Sequence, residues 1–372
     1  MRPIYLDYNA STPIDPAVRD VMRPLLEAAY GNPSSGHWAS LDARAALEEA
    51  RGKVADFLGC APDEIVFTSG GSEANNLALK GVYFAGGDRP VHFIVSGIEH
   101  PAILEPLRFL ERLGASVTYV AVDSHGLIDP DDVRQAIRKE TALISVMHAN
   151  NEVGTVEPIA ELSKIARDHG VALHTDAAQS VGKIATRIDD LGVDLLSLAG
   201  HKIYAPKGIG ALYVRRGTVL EPLIHGAGHE RGRRAGTQSA LLAAALGKAC
   251  EIAKSQADNS QIQRLRDHFW RRLQAEFGER VVLNGHPKMR LPNTLNVSFI
   301  GANGADVLTR VPEIAASTGA ACHAGETRMS PVLAAMGAAA EVGLGAIRFS
   351  LGRATTREDI GRAVEWLLRA LT

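Results

Sequence analysis

Lys202 lies in Ser197-Leu-Ala-Gly-His-Lys-Ile-Tyr204, directly after an apolar run, Val193 to Leu198, that reads as a buried strand. An amine just past a strand end, with Gly200 freeing the backbone and His201 beside it, is placed to reach an aldehyde in a cleft. An ordinary loop lysine reads the same in isolation, because most lysines face solvent. The segment before it, Val171 to Gln179, is a second short apolar strand and ends in Asp176, a carboxylate at a C-terminal strand edge. A lysine for covalent attachment and an aspartate for a ring nitrogen are the pair that pyridoxal 5'-phosphate (PLP) requires. The carboxylate keeps the ring protonated and its electron sink strong.

Other polar positions fall at the same edge. Ile65 to Thr68 reads as a strand that breaks into Ser69 to Asn76, after which Leu77, Leu79 and Val82 continue as a helix. Gly70 and Gly71 let the backbone approach an anion, and Ser72 is expected to cap the helix, whose first N–H groups face a phosphate. A plain capped helix is the alternative. His100 could stack on a ring and pass protons, or simply start a helix ahead of Pro101. Asn151 could touch a ring oxygen or a substrate carboxylate, or serve a turn with Asn150. Strands at Val91 to Ser96, Ser116 to Val122, Ala142 to His148 and Val171 onward alternate with helices, so an α/β fold with a mostly parallel, doubly covered sheet is expected. Ligands of such sheets sit outside the carboxyl ends of strands, where Gly71, Ser72, His100, Asn151, Asp176, Gln179 and Lys202 all fall.

The 372 residues exceed one ordinary core, so a large and a small domain are expected. A formal charge of -2 with 46% hydrophobic residues excludes a global attraction to nucleic acid. The segment His225 to Thr237 is basic and glycine-rich, but one short loop lacks the stripe and aromatic platforms of a nucleic-acid surface; a phosphate or subunit contact fits it better. Met1 to Asp7 has no apolar signal core, and no run approaches the ~20 apolar residues of a membrane span, so a cytoplasmic protein is expected, with no membrane partner.

Leu241 to Ala253 reads as a helix, Gln256 to Ser260 as a polar hinge, and Ile262 to Phe277 as an amphipathic helix. A strand is expected at Leu295 to Ile300, a Ser330-capped helix up to Gly337, and a last helix opened by a capping box from Thr355 to Glu358. The domain boundaries follow: 15–255 large, with 1–14 and 256–372 small. Of three cysteines, Cys60 sits at a helix stop, Cys250 falls within a helix, and Cys322 lies between Ala315 and Ser330 among small residues. No spacing points to a metal or a disulfide framework. The small-residue segment reads as a mobile loop presenting one reactive thiol.

Taken with Leu6-Asp-Tyr-Asn-Ala10, Gly31-Asn-Pro-Ser-Ser35, Thr68 to Asn76, Glu99-His100, Asn150-Asn-Glu152, Thr175 to Gln179, Gly200 to Tyr204, Glu230 to Thr237, Gly319 to Cys322 and Ile347 to Arg353, the chain resembles cysteine desulfurases of the iron-sulfur-assembly type over essentially its whole length. These are PLP enzymes of the class V aminotransferase family. The resemblance implies the fold-type-I architecture, a mostly parallel seven-stranded sheet plus a small α+β domain, and a homodimer. It implies PLP on Lys202, with Gly71, Ser72, His201 and a neighbouring subunit's Thr237 at the phosphate. His100 would stack on the ring, Asp176 would pair with the pyridinium nitrogen, and Gln179 would meet the phenolic oxygen. Asn151 and Arg348 would hold the substrate carboxylate, and Lys202, His100 and Cys322 would carry the chemistry. The implied reaction takes L-cysteine to L-alanine and passes sulfur through a Cys322 persulfide to an acceptor or scaffold protein. Two departures stand out. Ala199 replaces a serine common in relatives, removing a hydroxyl from the phosphate site. Cys322-His323 resembles selenocysteine lyases as well, so L-selenocysteine lyase, or another PLP transferase, is the alternative activity.

Overall fold

The computed structural model describes residues 2–319, 322–323, 326–327 and 329–371. β1 (Ile4–Tyr5) leads to α1 (Pro16–Ala28), where proline occupies the first turn and the Asp15 carboxylate accepts the Ala17 N–H at 2.9 Å. α2 (Leu41–Leu58) begins slightly before its first apolar-periodic residues and stops at Gly59, whose φ of 76° forms the left-handed cap.

Strands and helices then alternate: β2 (Ile65–Thr68), α3 (Gly71–Ala85), β3 (His92–Ser96), α4 (Pro101–Glu111), β4 (Ser116–Val120), α5 (Pro130–Ala136), β5 (Thr141–Ser145), α6 (Ile159–Asp168), β6 (Ala172–Asp176), α7 (Ile188–Leu191), β7 (Leu195–Ala199) and β8 (Gly210–Val214). These strands form one seven-stranded sheet in the order β2-β8-β7-β6-β5-β3-β4. β8 alone runs against its neighbours; the other pairings, β3 with β4 and β5, β5 with β6, and β6 with β7, are parallel. β2, β3, β7 and β8 are buried along their whole length, as a sheet covered on both faces demands. On one face Val54, Leu162 and Leu246 pack with Ile144 and Leu173; the last helix of this layer is α8 (Ala240–Ser255). On the other, Leu77 and Leu107 cover Phe93 and Leu143.

A second core follows α9 (Ser260–Phe277). It contains β9 (Val281–Asn284), β10 (Thr294–Phe299), α10 (Gly304–Arg310), β11 (Ile314–Ala315), β12 (Cys322–His323), β13 (Glu326–Thr327), α11 (Pro331–Ala335), α12 (Ala340–Leu344), β14 (Ala346–Ser350) and α13 (Arg357–Leu371). β10 lies between β14 and β9, antiparallel to both. The N-terminus joins this core: β1 pairs in parallel with β11, and Ile4 and Leu6 bury against Phe269, Val297, Phe349 and Leu367.

One local expectation is corrected. The reciprocal bonds that start α13 join Thr356 and Asp359, not Thr355 and Glu358: the Asp359 carboxylate accepts from the Thr356 N–H at 3.0 Å, and the Asp359 N–H donates to the Thr356 hydroxyl at 3.1 Å. Thr355 is turned instead to the Gly352 N–H, at 3.0 Å. Within the segment read as a loop presenting one thiol, Cys322 stands opposite Thr327 and His323 opposite Glu326 in a short antiparallel ladder. Among the described residues no helix is long and apolar enough to cross a membrane.

Candidate active site

The C-terminal edges of β2, β3, β5, β6 and β7 surround a cavity of about 220 Å³ lined by Gly71, Ser72, Asn75, His100, Met147, Ala149, Asn151, Asp176, Gln179, Ala199, His201 and Lys202. One end of it is formed by the start of α3. Here the expectation for Ser72 is corrected: the cap is Gly70, with φ 155° and no side-chain hydrogen bond, and Ser72 lies within the first turn. A side chain is disfavoured at that φ. A Cβ on Gly71 would also approach the Ala199 methyl to 3.3 Å. The first-turn N–H groups of a long helix are thereby open to an anion. Glu73 fixes this turn, its carboxylate accepting from Ser69 N–H and Arg234 Nε at 2.8 Å each. Arg234 belongs to the basic segment, which is itself anchored by the buried pair of Arg51 and Glu230, two contacts of 2.8 Å, with Glu230 in the left-handed region at φ 48°.

Asp176 is the last residue of β6. Its carboxylate accepts from Asn75 Nδ2 at 2.7 Å and from the Ala178 N–H at 2.9 Å, so its position in the cavity wall is fixed. Lys202 ends a turn after β7, and its Nζ donates to the Asn9 and Ala10 carbonyls at 2.5 and 3.0 Å. Burial, with a contribution from Arg348, pushes this amine down to about 8; Asp176 and Asp7 oppose the shift. His100 caps α4, its Nδ1 accepting the Ala102 N–H at 3.1 Å, and its ring still faces the cavity. Burial and Lys202 hold it below the ordinary histidine range against the pull of Asp176. His201 is lowered to about 4 by burial and the neighbouring lysines, which leaves it a neutral imidazole. Asn151 lines the cavity, whereas Asn150 serves the turn, its Oδ1 accepting from Glu152 and Val153.

Two expected contacts are not in the cavity wall. Arg348, on β14, donates to Asp7 at 2.7 Å and to the Asn151 carbonyl at 3.0 Å. Thr237 is exposed. The side chain of Cys322 lies outside the described residues. Sequence reasoning missed Asn75, Asn9 and Asp7, although the last two stand in the quoted N-terminal motif and Asn75 interrupts the apolar face of its helix.

The donor set fits PLP: helix N–H groups for a phosphate, a fixed carboxylate for a ring N–H and a lysine of lowered pKa for an aldehyde. The partnerless Asn75 Oδ1 further indicates that the Asn75 amide is oriented by Asp176. Residues 4–362 match the family described as Aminotransferase class-V. The chain belongs to the aminotransferase class-V family. It is 47% identical over 374 residues to the cysteine desulfurase IscS of Dictyoglomus turgidum, covering 100% of this chain and 95% of that protein. Among solved structures, a NifS-like protein superposes with a TM-score of 0.93 at 35% identity, covering 100% of this chain and 99% of the other. A structure of SspA in complex with cysteine gives a TM-score of 0.83 at 39% identity, covering 94% of this chain and 99% of the other. Within the family the chain thus belongs with the PLP-dependent cysteine desulfurases, which favours that activity over the selenocysteine-lyase and other-transferase alternatives.

Proposed function

We propose that this protein takes sulfur from L-cysteine, releases L-alanine and holds the sulfur on Cys322 for a protein acceptor. The observation that carries the reading is one cavity holding a fixed carboxylate, Asp176, and an amine lowered to about 8, Lys202, beside a helix start open to phosphate. Bound PLP supplies an aldehyde for the amines and a ring that takes up electrons released at the substrate carbon.

The chain's own groups do the rest. Asp176 would accept the ring N–H, the start of α3 with Gly71, Ser72 and His201 would hold the phosphate, and Gln179 would meet the phenolic oxygen. His100 would stack on the ring. Lys202, an amine whose pKa is near working pH, would carry the α-proton as a base. Asn151 and Arg348 hold the substrate carboxylate, Arg348 leaving part of its bond to Asp7. The Cys322 thiolate attacks the substrate sulfur: an S–S bond forms as the carbon–sulfur bond breaks, and the electron pair stays with the carbon skeleton. Proton return to that carbon gives alanine, so cysteine and thiol become alanine and persulfide with atoms in balance.

A homodimer is part of this reading. Thr237 would complete the phosphate site of a second copy, and the exposure of Tyr30 and Trp38, 77% each, supports an apolar contact near α2. The two separate cores support the division into 15–255 and 1–14 with 256–372. A cytoplasmic setting suits three cysteines with no disulfide framework. The deciding experiment is anaerobic turnover of L-cysteine and L-selenocysteine with a thiol reductant. Equal alanine and sulfide from cysteine are expected; release of a keto acid, or turnover of selenocysteine alone, would refute the reading.

A further inference from the structure

Gln179 and Lys183 lie four positions apart in the run of turns that follows β6, with Gly182 between them at φ 73°. Lys183 Nζ donates to Gln179 Oε1 at 2.9 Å, while Gln179 Nε2 donates to the Asn9 carbonyl at 2.9 Å. Rotating this amide by half a turn would set its oxygen against the Asn9 carbonyl in either charge state of Lys183, and its NH2 against an amine that has no acceptor when protonated.

The partner that anchors the amine is directional too. Lys183 also reaches Asn9 Oδ1 at 3.4 Å, an oxygen that accepts from Asn293 Nδ2 at 3.0 Å, while Asn9 Nδ2 donates to the Thr294 hydroxyl at 2.9 Å. Asn9 therefore cannot turn its NH2 toward the lysine without losing these bonds. Lys183 is half-buried and opens on a second cavity of about 380 Å³, behind the cofactor cavity, with Tyr8, Tyr204, Asn293 and Arg353 in its walls. Lys202 lines both cavities.

We propose that Lys183 is a positioning residue that acts through Gln179: by holding the amide oxygen from behind, it makes the amide present an N–H, and not its oxygen, to the acceptor that enters the cofactor cavity. The inference rests on the proposed contact between Gln179 and the phenolic oxygen of PLP. An anionic oxygen is stabilised by a donor and repelled by a carbonyl, so the orientation of one amide sets the protonation balance of the bound cofactor. Burial, with Lys202 and Arg348, pulls the Lys183 amine well below its ordinary range, and either charge state retains an N–H for Gln179.

The test is a double-mutant cycle on the holoenzyme, with Lys183→Met, Gln179→Leu and the pair, read as the pH midpoint of the bound cofactor's absorption change alongside cofactor content. Each single variant should raise the midpoint by about one pH unit, as expected for one hydrogen bond to a charged oxygen, and the pair should raise it no further than Gln179→Leu alone. Additive shifts would mean that Lys183 acts by charge alone, overturning the proposal and leaving the Gln179 contact intact. A midpoint unmoved by Gln179→Leu would remove that contact, and the proposal with it. Lys183→Ala runs the same cycle if Lys183→Met does not fold.

Discussion

Asn75→Ala removes one of the two hydrogen bonds that fix the Asp176 carboxylate, the 2.7 Å contact from Nδ2, and leaves the 2.9 Å bond from the Ala178 N–H. A bond to a charged group contributes about 1.5–3 kcal/mol, and Asp176 is the carboxylate that would meet the cofactor's ring proton. The loss should therefore fall on cofactor binding. At about 1.4 kcal/mol per decade, PLP affinity should drop by about ten- to a hundredfold, the lower figure applying if water enters the cleared space. The apoprotein loses the same Nδ2 contact, while the amide's other end, Oδ1, has no partner to forfeit. Equilibrium dialysis of PLP against apoprotein, paired with thermal unfolding, measures both. A PLP Kd within about twofold of wild type, with Asp176→Asn strongly weakened in the same assay, would show that Asn75 does not hold the carboxylate.

Three further outcomes follow from named contacts. Capture of PLP by the apoprotein needs neutral Lys202, so its rate should rise with pH through about 8, and Arg348→Gln should move that midpoint upward because Arg348 is the main charged group lowering the amine; stopped-flow absorbance against pH reads both. His174, buried between the Ser145 and Ser197 hydroxyls, is lowered by burial from 6.5 to about 3. Its contribution is thus fully present above the unfolded value and is lost as pH falls toward the folded one. The unfolding free energy of wild type should lose about 1.4 kcal/mol per pH unit relative to His174→Gln between about pH 6 and 4, measured by urea denaturation. Arg51→Met leaves Glu230 charged and buried without its bidentate partner, and should cost about 3–5 kcal/mol by the same method.

The α/β alternation was legible because buried parallel strands are continuous apolar runs, and the site because polar residues at strand ends stand out against them. What the sequence did not reveal depends on packing between distant segments. Asn9 meets Gln179, Lys183 and Lys202 only because β1 pairs with β11 and the chain then crosses to the sheet's edge. Arg348 was legible as a cation near the site, but not its bond to Asp7, which requires β14 and the N-terminus to lie side by side. Local chemistry misplaced two helix starts by a residue or two. Ser72 and Thr355 are good capping types, yet the glycine at 70 and the threonine at 356 sit where the backbone turns.

The central claim, that Cys322 receives the substrate's sulfur, is tested most directly by adding limiting L-cysteine to holoenzyme without reductant and locating added sulfur by mass spectrometry. The other thiols are poor candidates: burial and nearby carboxylates push Cys60 up to about 12, and Cys250 is fully buried and raised further. About one sulfur atom per chain should appear on Cys322, as one accessible thiolate allows, and Cys322→Ser should abolish it while cofactor remains bound. Sulfur on Cys60 or Cys250, or undiminished desulfuration by Cys322→Ser, would contradict the account.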